Sequence, residues 1–405
     1  MTVTLKIEKS VYGGDGLSRL GDGRVAFVPG AFPGETVKAR MCDERKRFVR
    51  CSLEEIVEPS PERISPGVTV PGMVYAAVTP AEELRLKEDQ LSNFLWKVAR
   101  TPVPVKVHPM DAADALHYRN KATYRFARQG GRWTIGYLRE LSHEIVDIHE
   151  DPLVLQQMNE KIQEMRSGVT SLLTQGSESV RRSTAALETV TMRHTALDGV
   201  KWWVGKPPHG LVLKERTAGM TFKVAADGFY QVNPKVGDAL VRAVVESYLD
   251  GAADAAHVLD LYCGVGVIGL ACIKSAPQIN GAQPRLVGVE SGREAVAMAK
   301  ENAAALGVKA AFFAERAGSS VRRFKVGPHH TVIADPPRGG LEANVARWLS
   351  SCAAKRIFYV SCDPATLTRD LGEIARGGWR IVDAQLFNMF PRTARFETFV
   401  RLERR

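Results

Sequence analysis

Apolar and polar residues alternate along the first sixty positions in the pattern of short β-strands. Apolar side chains occupy every second position from Val3 to Ile7, and the alternation returns between Thr36 and Met41. Glycine-rich turns such as Gly21-Asp22-Gly23 separate these runs, as they do in tight hairpins. Short strands divided by glycine turns predict a small β-barrel over residues 1–58.

After a proline-rich linker the spacing of apolar residues becomes helical. Thr79 as the N-cap, Pro80 as the first helical residue and Glu82 three positions after the cap form a start signal. Leu91 and Leu95 continue one apolar face of this helix. Because strand-like alternation returns farther along the chain, we expect a central α+β domain over residues 59–225.

Strand-like apolar runs alternate with helical stretches from residue 226 to residue 405. The strand-like runs are His257–Tyr262, Thr331–Ala334 and Arg356–Ser361, and the helical stretches include Glu294–Leu306 and Asn344–Ser350. Such alternation predicts a parallel sheet covered by helices. The expected fold class is α/β, with a Rossmann-like domain that follows the barrel and the central domain.

Positive charge is in excess, with 55 Lys and Arg against 45 Asp and Glu and a formal net charge of +10. This surplus suits a nucleic-acid partner without proving one. Six cations fall within thirteen residues of the barrel: Lys38, Arg40, Arg45, Lys46, Arg47 and Arg50. Four more alternate with aromatic residues in the central region: Arg119, Lys121, Arg125 and Arg128. Any one of the barrel cations could belong to an ordinary solvated face, but six so close together favour contact with RNA phosphates. For the central group the sequence leaves open whether they contact single-stranded RNA or form the polar face of an ordinary strand.

No apolar run reaches the roughly 20 residues of a membrane helix, and the first residues show no signal-peptide core. We therefore expect a cytoplasmic protein without a membrane partner. None of the six cysteines forms a Cys-x-x-Cys pair, so the usual spacing of a metal site is missing. Most of these cysteines should be small buried residues.

A glycine-rich loop follows one of the predicted strands. The run Val258–Leu261 leads into Gly264-Val265-Gly266, and Gly269 follows. Glycines let the backbone turn tightly and approach a ligand closely. A second apolar run ends in Glu290, whose carboxylate can accept hydrogen bonds from ribose hydroxyls. This fingerprint alone fits a nicotinamide cofactor, and thus an oxidoreductase, as well as S-adenosylmethionine.

The segment Asp335-Pro336-Pro337-Arg338 separates these alternatives. It follows the apolar run Thr331–Ala334, and open α/β sheets bind ligands beyond the carboxyl ends of their strands. An Asp held there by two rigid prolines would lie beside a reacting base. A dehydrogenase has no use for this arrangement.

Cys362 ends another strand-like run, in Ser361-Cys362-Asp363-Pro364. Carbon 5 of uracil is a poor nucleophile, but a thiolate that adds to carbon 6 makes carbon 5 able to attack an electrophilic methyl group. A general base must then remove the proton from carbon 5. Glu397, in the segment Phe390–Glu397, is the candidate base.

Together these motifs resemble the RNA uracil-5-methyltransferases, and the resemblance covers nearly the whole chain. The barrel is similar to their TRAM domain, an RNA-binding module. Four further segments match family motifs: Phe229-Tyr230-Gln231-Val232-Asn233, Asp260–Gly264, Asp335–Arg338 and Ser361–Pro364. The resemblance implies that S-adenosylmethionine is the cofactor, with Gln231, Tyr262, Gly264, Glu290 and Asp335 around it. It also implies Cys362 as the nucleophile and Glu397 as the base.

The chain departs from the family pattern in three places. Many members carry four cysteines that hold an iron–sulfur cluster, but Ser65–Tyr75 contains none and a later cluster cysteine is replaced near Asp151. We therefore expect no cluster. Arg392 and Arg395 stand where members usually show His or Gln ahead of the base. Glu315-Arg316 replaces a usual Gly-Asp, so no adenine contact is assigned there.

The N-terminal barrel favours ribosomal RNA as the substrate, most simply 23S rRNA, because the ribosomal branch of the family commonly carries this domain. A transfer RNA T-loop is the alternative substrate. A non-catalytic RNA-binding protein that has kept the fold is the alternative function, and the intact Cys362 argues against it. We expect a monomer that acts on a flipped or single-stranded uridine.

Overall fold

The computed structural model describes residues 1–129, 132–139, 144–167, 188–250, 257–278 and 283–404, and the side chains of 128, 129, 132 and 133 are not described. The described part of the chain contains helices and four sheets, which have six, five, two and eight strands. The α/β fold class that the sequence predicts is confirmed, since a helix-covered sheet follows an N-terminal β domain.

The N-terminal residues form a closed barrel with an apolar interior. The strand order is β1-β5-β6-β4-β3-β2. The chain at the end of β1 also bonds to β3, where the amide of Glu8 donates to the Leu17 carbonyl at 2.8 Å, so the two ends of the sheet meet. Leu5, Val37 and Val49 are buried inside. The strands are β1 Thr2–Lys6, β2 Lys9–Ser10, β3 Gly16–Arg19, β4 Val25–Val28, β5 Thr36–Glu44 and β6 Phe48–Glu58.

The central domain is an antiparallel sheet packed on one helix, Gln156–Ser167, through the buried Tyr124, Met158 and Met192. The sheet has the order β10-β9-β8-β11-β12. Its strands are β8 Lys121–Gln129, β9 Arg132–Leu138, β10 Ile145–Asp147, β11 Glu188–Thr195 and β12 Gly199–Val204.

Two elements that precede the expected domain boundary at residue 225 pack on the C-terminal domain. The helix Pro80–Ala99, capped by the hydroxyl of Thr79, which accepts from the Glu82 amide, buries Leu91 and Leu95 in the core of the C-terminal domain. The hairpin of β13 (Val212–Thr217) and β14 (Met220–Ala225) likewise packs on that domain. The three-domain division stays a prediction, but these two elements support the C-terminal sheet.

The C-terminal sheet has the order β17-β16-β15-β18-β19-β21-β20-β7. It is mixed, because β21 runs antiparallel to both of its neighbours. The strands are β7 Lys106–Val107, β15 His257–Leu261, β16 Leu286–Glu290, β17 Ala310–Ala314, β18 His330–Ala334, β19 Arg356–Ser361, β20 Trp379–Phe387 and β21 Glu397–Arg404. The α-helices are Pro234–Leu249, Val267–Ser275, Arg293–Leu306, Ala317–Ser320, Ala343–Ser351 and Pro364–Ala375, and 3-10 turns lie at Ala112–Ala115 and Val321–Arg323.

Five parallel strands, β17, β16, β15, β18 and β19, end at the same edge of this sheet. Ligand sites in such sheets form beyond the carboxyl ends of the strands, so this edge positions the candidate site. In the part of the chain that the structure describes, we find no helix that is both long and apolar enough for a membrane crossing.

Candidate functional site

A cleft of about 870 Å³ opens at the carboxyl edge of the C-terminal sheet. It brings together every residue that the sequence assigns to the site: Gln231, Tyr262, Gly264, Glu290, Asp335, Cys362 and Glu397. These residues come from six separate strands or loops. Their shared cleft is therefore a product of the fold and not of proximity along the chain.

The glycine loop after β15 has the backbone conformation that its glycines predict. Gly264 and Gly266 have φ angles of +54° and +86°, a region that side chains disfavour. Tyr262 also has a positive φ, +62°, and strain of this kind collects at functional sites. A Cβ at Gly264 would meet no atom within 4 Å, so the backbone of this loop is open to a ligand.

Gly269, the third glycine of the motif, leaves room for a buried carboxyl group. Its amide donates a hydrogen bond of 3.0 Å to Oδ2 of Asp260, and a Cβ at this position would lie 2.6 Å from the same oxygen. Burial raises the pKa of Asp260 to about 8. The close approach explains why the motif needs glycine here.

Glu290 ends β16 and faces the cleft beside the glycine loop. Its carboxylate accepts hydrogen bonds from the amide of Gly264 at 3.3 Å and from the amide of Gly292 at 2.7 Å. These bonds fix the orientation of the carboxylate. A carboxylate fixed at the end of this strand can still accept hydrogen bonds from ligand hydroxyls.

Asp335 lines the cleft near enough to Cys362 for its charge to act on the thiol. It follows β18, next to β19, and burial raises its pKa to about 7 although the side chain is partly exposed to the cleft. A cationic ligand nearby would lower this pKa again, because an opposite charge favours the carboxylate. The acid is thus suited to a ligand that carries positive charge.

Cys362 and Glu397 lie opposite each other across two antiparallel strands. Ser361 pairs with Thr398, so the next position beyond this pair places Cys362 against Glu397. Side chains at directly opposed positions have Cβ atoms about 5 Å apart. The sequence separates these two residues by more than thirty positions, and the strand register brings them together.

Burial shifts the pKa values of both groups upward. The pKa of the Cys362 thiol is raised to about 11, mainly by burial and then by the charges of Glu397 and Asp335. The pKa of Glu397 is raised well above its usual range by burial and then by Asp335. A carboxyl group with a raised pKa is a stronger base, and a thiol with a raised pKa must lose its proton before it can act as a nucleophile.

The loop that carries Cys362 is fixed by Asp363. The Asp363 side chain caps the helix Pro364–Ala375 by accepting hydrogen bonds from the amides of Ala365 and Thr366, each 3.0 Å. Tyr12 of the barrel donates a further hydrogen bond of 3.3 Å to Oδ2 of Asp363. The barrel therefore contacts the residue next to the candidate nucleophile.

The segment that leads to Glu397 is held by a buried ionic cluster. Lys87 donates to Glu83 at 2.7 Å, to the side chain of Asn388 at 2.7 Å and to the Phe390 carbonyl at 3.3 Å. The amide of Arg392 donates to Glu83 at 3.0 Å, and its guanidinium pairs with the same carboxylate at 3.2 Å. Arg392 is thus a structural residue that points away from the cleft chemistry.

Sequence reasoning missed several residues that line the cleft. Phe229 is 74% exposed at its rim, so its ring is accessible to a ligand in the cleft. Glu315 and Arg316, to which the sequence assigned no role, also line the cleft. The signal for Phe229 was its position two residues before Gln231. Cys263 is buried, and it is not among the residues that line this cleft.

Two residues at the expected cluster positions, Val70 and Asp151, are packed in the protein interior. Asp151 accepts hydrogen bonds from the hydroxyls of Tyr124 and Tyr137 at 3.0 and 2.6 Å. Val70, from the cysteine-free segment, is buried in the same core. Among the described residues, no group of three or more His, Cys, Asp and Glu side chains is arranged to hold a metal ion.

The cations predicted to contact RNA differ in their surroundings. In the barrel, Lys38 pairs with Glu55 at 2.7 Å and Arg40 with Glu54 at 3.1 Å. In the central sheet, Lys121 donates to the Asp227 carbonyl at 3.1 Å. The side chain of Arg128 lies outside the described part of the chain. Partnered cations are weaker attractants for phosphate, so charge counts from the sequence overstate the barrel's positive field.

Comparison with known proteins gives matches along the whole chain. A model of the tRNA (Uracil-5-)-methyltransferase family matches residues 210–405. An RNA methyltransferase of Streptomyces coelicolor is 31% identical over 97% of this chain and 90% of its own length. The 23S rRNA (uracil(1939)-C(5))-methyltransferase of Aeromonas salmonicida is 27% identical over 94% of this chain and 92% of its own length.

One solved structure matches over the full length. The tRNA (uracil-54, C5)-methyltransferase of Pyrococcus abyssi, in complex with S-adenosyl-L-homocysteine, aligns with a TM-score of 0.73 and 22% identity. The alignment covers 99% of this chain and 100% of that chain. At this identity the likeness shows a shared fold that extends through all parts of the molecule.

Proposed function

This chain belongs to the RNA uracil-5-methyltransferase family, and from that premise we propose that it methylates a uridine of ribosomal RNA through a covalent bond to Cys362. The observation that carries the covalent mechanism is the strand register that sets Cys362 against Glu397 in one cleft. A nucleophile and a base on the same uracil ring need this closeness.

S-adenosylmethionine supplies an electrophilic methyl group and a positive charge at its sulfur. The described residues fit this cofactor. The open face of Gly264 admits a ligand against the backbone, the oriented carboxylate of Glu290 suits ribose hydroxyls, and Asp335 suits a cation. Gln231 and Tyr262 line the same pocket as Gly264 and Asp335.

Different side chains of the cleft act in different steps of the proposed reaction. The Cys362 thiolate adds to carbon 6, so a carbon–sulfur bond forms and the electron pair moves toward carbon 5. After carbon 5 has gained the methyl group, Glu397 accepts its proton. The electron pair of that carbon–hydrogen bond then restores the double bond and expels the thiolate. Asp335, beside both groups, contributes charge that raises the pKa of Cys362 and of Glu397.

Ribosomal RNA is the proposed substrate because of the relatives that match the chain over nearly its full length. Among them is the 23S rRNA enzyme of Aeromonas salmonicida, of which this chain covers 92%. The N-terminal barrel and the central sheet are proposed to bind the RNA around the uridine. The cluster-free packing of Asp151 with Tyr124 and Tyr137 supports the proposal that the purified protein carries no stoichiometric iron.

Methylation of purified RNA tests this proposal. Ribosomal RNA and transfer RNA from cells that lack the gene are incubated separately with the protein and methyl-labelled S-adenosylmethionine. The expected product is 5-methyluridine at a defined position of the ribosomal RNA. Label that appears in transfer RNA alone would overturn the substrate assignment, and label on another base would overturn the proposed chemistry.

A further inference from the structure

A second concave surface lies between the end of the helix Pro80–Ala99 and the helices Ala343–Ser351 and Pro364–Ala375. This surface, here called the basic groove, has a volume of about 920 Å³. Five exposed cations line it against the carboxylates of Asp370 and Glu373: Lys97, Arg100, Arg347, Arg369 and Arg376. Its lining is therefore net positive.

Three of these cations keep their charge available. Among the described residues, no carboxylate lies within ion-pair distance of Lys97, Arg100 or Arg347, whereas Arg369 and Arg376 pair with their neighbours on the helix. Lys38 and Arg40 of the barrel differ, because each faces a glutamate across the strands. Unpaired cations grouped in a concave surface attract a polyanion more strongly than paired ones.

Arg100 holds its position at a conformational cost. It ends the helix Pro80–Ala99 with φ +56°, in the left-handed region, where glycine is the usual residue. Its guanidinium lies over the ring of Trp96, 5.6 Å from the centroid, and Trp96 is 51% exposed. A strained arginine beside an exposed indole is an arrangement that suits single-stranded nucleic acid, which binds cations and aromatic faces together.

A short segment joins the basic groove to the cleft, since Arg338 lines the cleft and Leu341 lines the groove. This segment is held by Arg369, which donates to the carbonyls of Gly339 at 2.9 Å and Leu341 at 3.2 Å. The helix Pro364–Ala375 starts two residues after Cys362 and has 12 residues. At a rise of 1.5 Å per residue it extends about 18 Å from the cleft toward Arg376.

From these observations we propose that the basic groove binds the single-stranded RNA segment that flanks the target uridine. The proposal rests on the proposed function, since it is the cleft that fixes the uridine. Arg338 and Arg369 lead the strand out of the cleft. Lys97, Arg100 and Arg347 then contact its phosphates along the helices.

The test compares two fluorescein-labelled poly-uridine strands, of 5 and 15 nucleotides, by anisotropy at several salt concentrations. The variant Lys97→Gln/Arg100→Gly/Arg347→Gln keeps helix-compatible residues and places glycine in the left-handed position, so its melting temperature should not fall. The wild-type protein should bind the longer strand more tightly. The variant should lose most of that gain, and its slope of log K against log salt should be shallower by about 2, as for three lost phosphate contacts.

Lys300→Gln is the matched control, because Lys300 is an exposed cation on the helix Arg293–Leu306, across the sheet from the basic groove. It should bind both strands like the wild type. An unchanged length gain and salt slope in the triple variant would overturn the basic groove as an RNA site, and so would an equal loss in Lys300→Gln. Methylation of ribosomal RNA by the wild-type protein, measured in parallel, reports separately on the proposed function.

Discussion

The hydroxyl of Tyr12 donates a hydrogen bond to the carboxylate of Asp363, with 3.3 Å between the phenolic oxygen and Oδ2. The two residues are 351 positions apart, and Asp363 immediately follows Cys362. The ring of Tyr12 also packs edge-on against Phe94 and Phe396 at 6.0 Å. The N-terminal barrel is therefore joined to the loop of Cys362 by a polar contact and by aromatic contacts, so it can influence the position of Cys362.

Removal of this hydroxyl should slow methylation without unfolding the protein. Tyr12→Phe keeps the ring contacts and loses one hydrogen bond, worth about 1 kcal/mol, which corresponds to a decrease of about fivefold in kcat. Tyr137→Phe removes a similar bond to Asp151 in the central domain and should leave kcat unchanged. Steady-state methylation rates and melting temperatures of both variants test this prediction. Equal kcat losses would show a general effect of stability.

Replacement of the candidate nucleophile should abolish methylation. Cys362→Ala removes the only group proposed to add to carbon 6, while the glycine loop and Glu290 still bind the cofactor. Calorimetric titration with S-adenosylmethionine should give a nearly unchanged Kd. Cys263→Ala is the control, because Cys263 is buried next to the glycine loop and should tolerate the change. Substantial turnover by Cys362→Ala would remove the covalent mechanism.

Replacement of the candidate base should trap the enzyme on its RNA. Addition of Cys362 and methyl transfer both precede proton removal, so Glu397→Gln blocks only the last step. The methylated uridine then stays bonded to sulfur, and the complex should survive denaturing electrophoresis. The double variant with Cys362→Ala should form no complex. Normal turnover by Glu397→Gln would make Asp335 the next candidate, whereas inactivity without a complex would place Glu397 earlier in the reaction.

The reactivity of Cys362 should increase as the pH rises. Burial raises the pKa of its thiol to about 11, and the charge of Glu397 is the second cause. Since only the thiolate reacts, alkylation by iodoacetamide should become about tenfold faster per pH unit between pH 7 and 10. At any pH at which Glu397 is ionised, Glu397→Gln should react faster than the wild type. Mass spectrometry of the Cys362 peptide measures both rates, and a plateau near pH 8 would show a much lower pKa.

The sequence predicts the carboxyl-edge motifs well because each one is local. Glycines with positive φ, the acid that ends β16 and the cysteine that follows β19 can all be predicted from short patterns. The contact between Tyr12 and Asp363 could not be predicted, because it depends on how separate domains pack. The antiparallel direction of β21 was missed for a similar reason, since apolar periodicity indicates a strand but not its direction.

The buried cluster around Glu83 gives a last prediction, which concerns stability. Glu83 is fully buried and neutralises two fully or nearly buried cations, Lys87 and Arg392. Glu83→Gln leaves both cations without a counter-charge, and loss of one partner of a buried ion pair costs about 3–5 kcal/mol. Lys87→Met removes one cation and leaves Glu83 paired with Arg392. Its cost is the loss of the hydrogen bonds that Lys87 donates to Asn388 and to the Phe390 carbonyl, about 1–3 kcal/mol.

Urea unfolding should therefore rank Glu83→Gln as the more destabilised of the two variants. Burial lowers the pKa of Lys87, Glu83 opposes this shift, and the charge of Arg392 adds to it. Because the cluster holds the segment from Asn388 to Arg392, both variants should also slow methylation through Glu397. Equal free energies of unfolding for the two variants would show that Lys87, and not Arg392, is the main partner of Glu83.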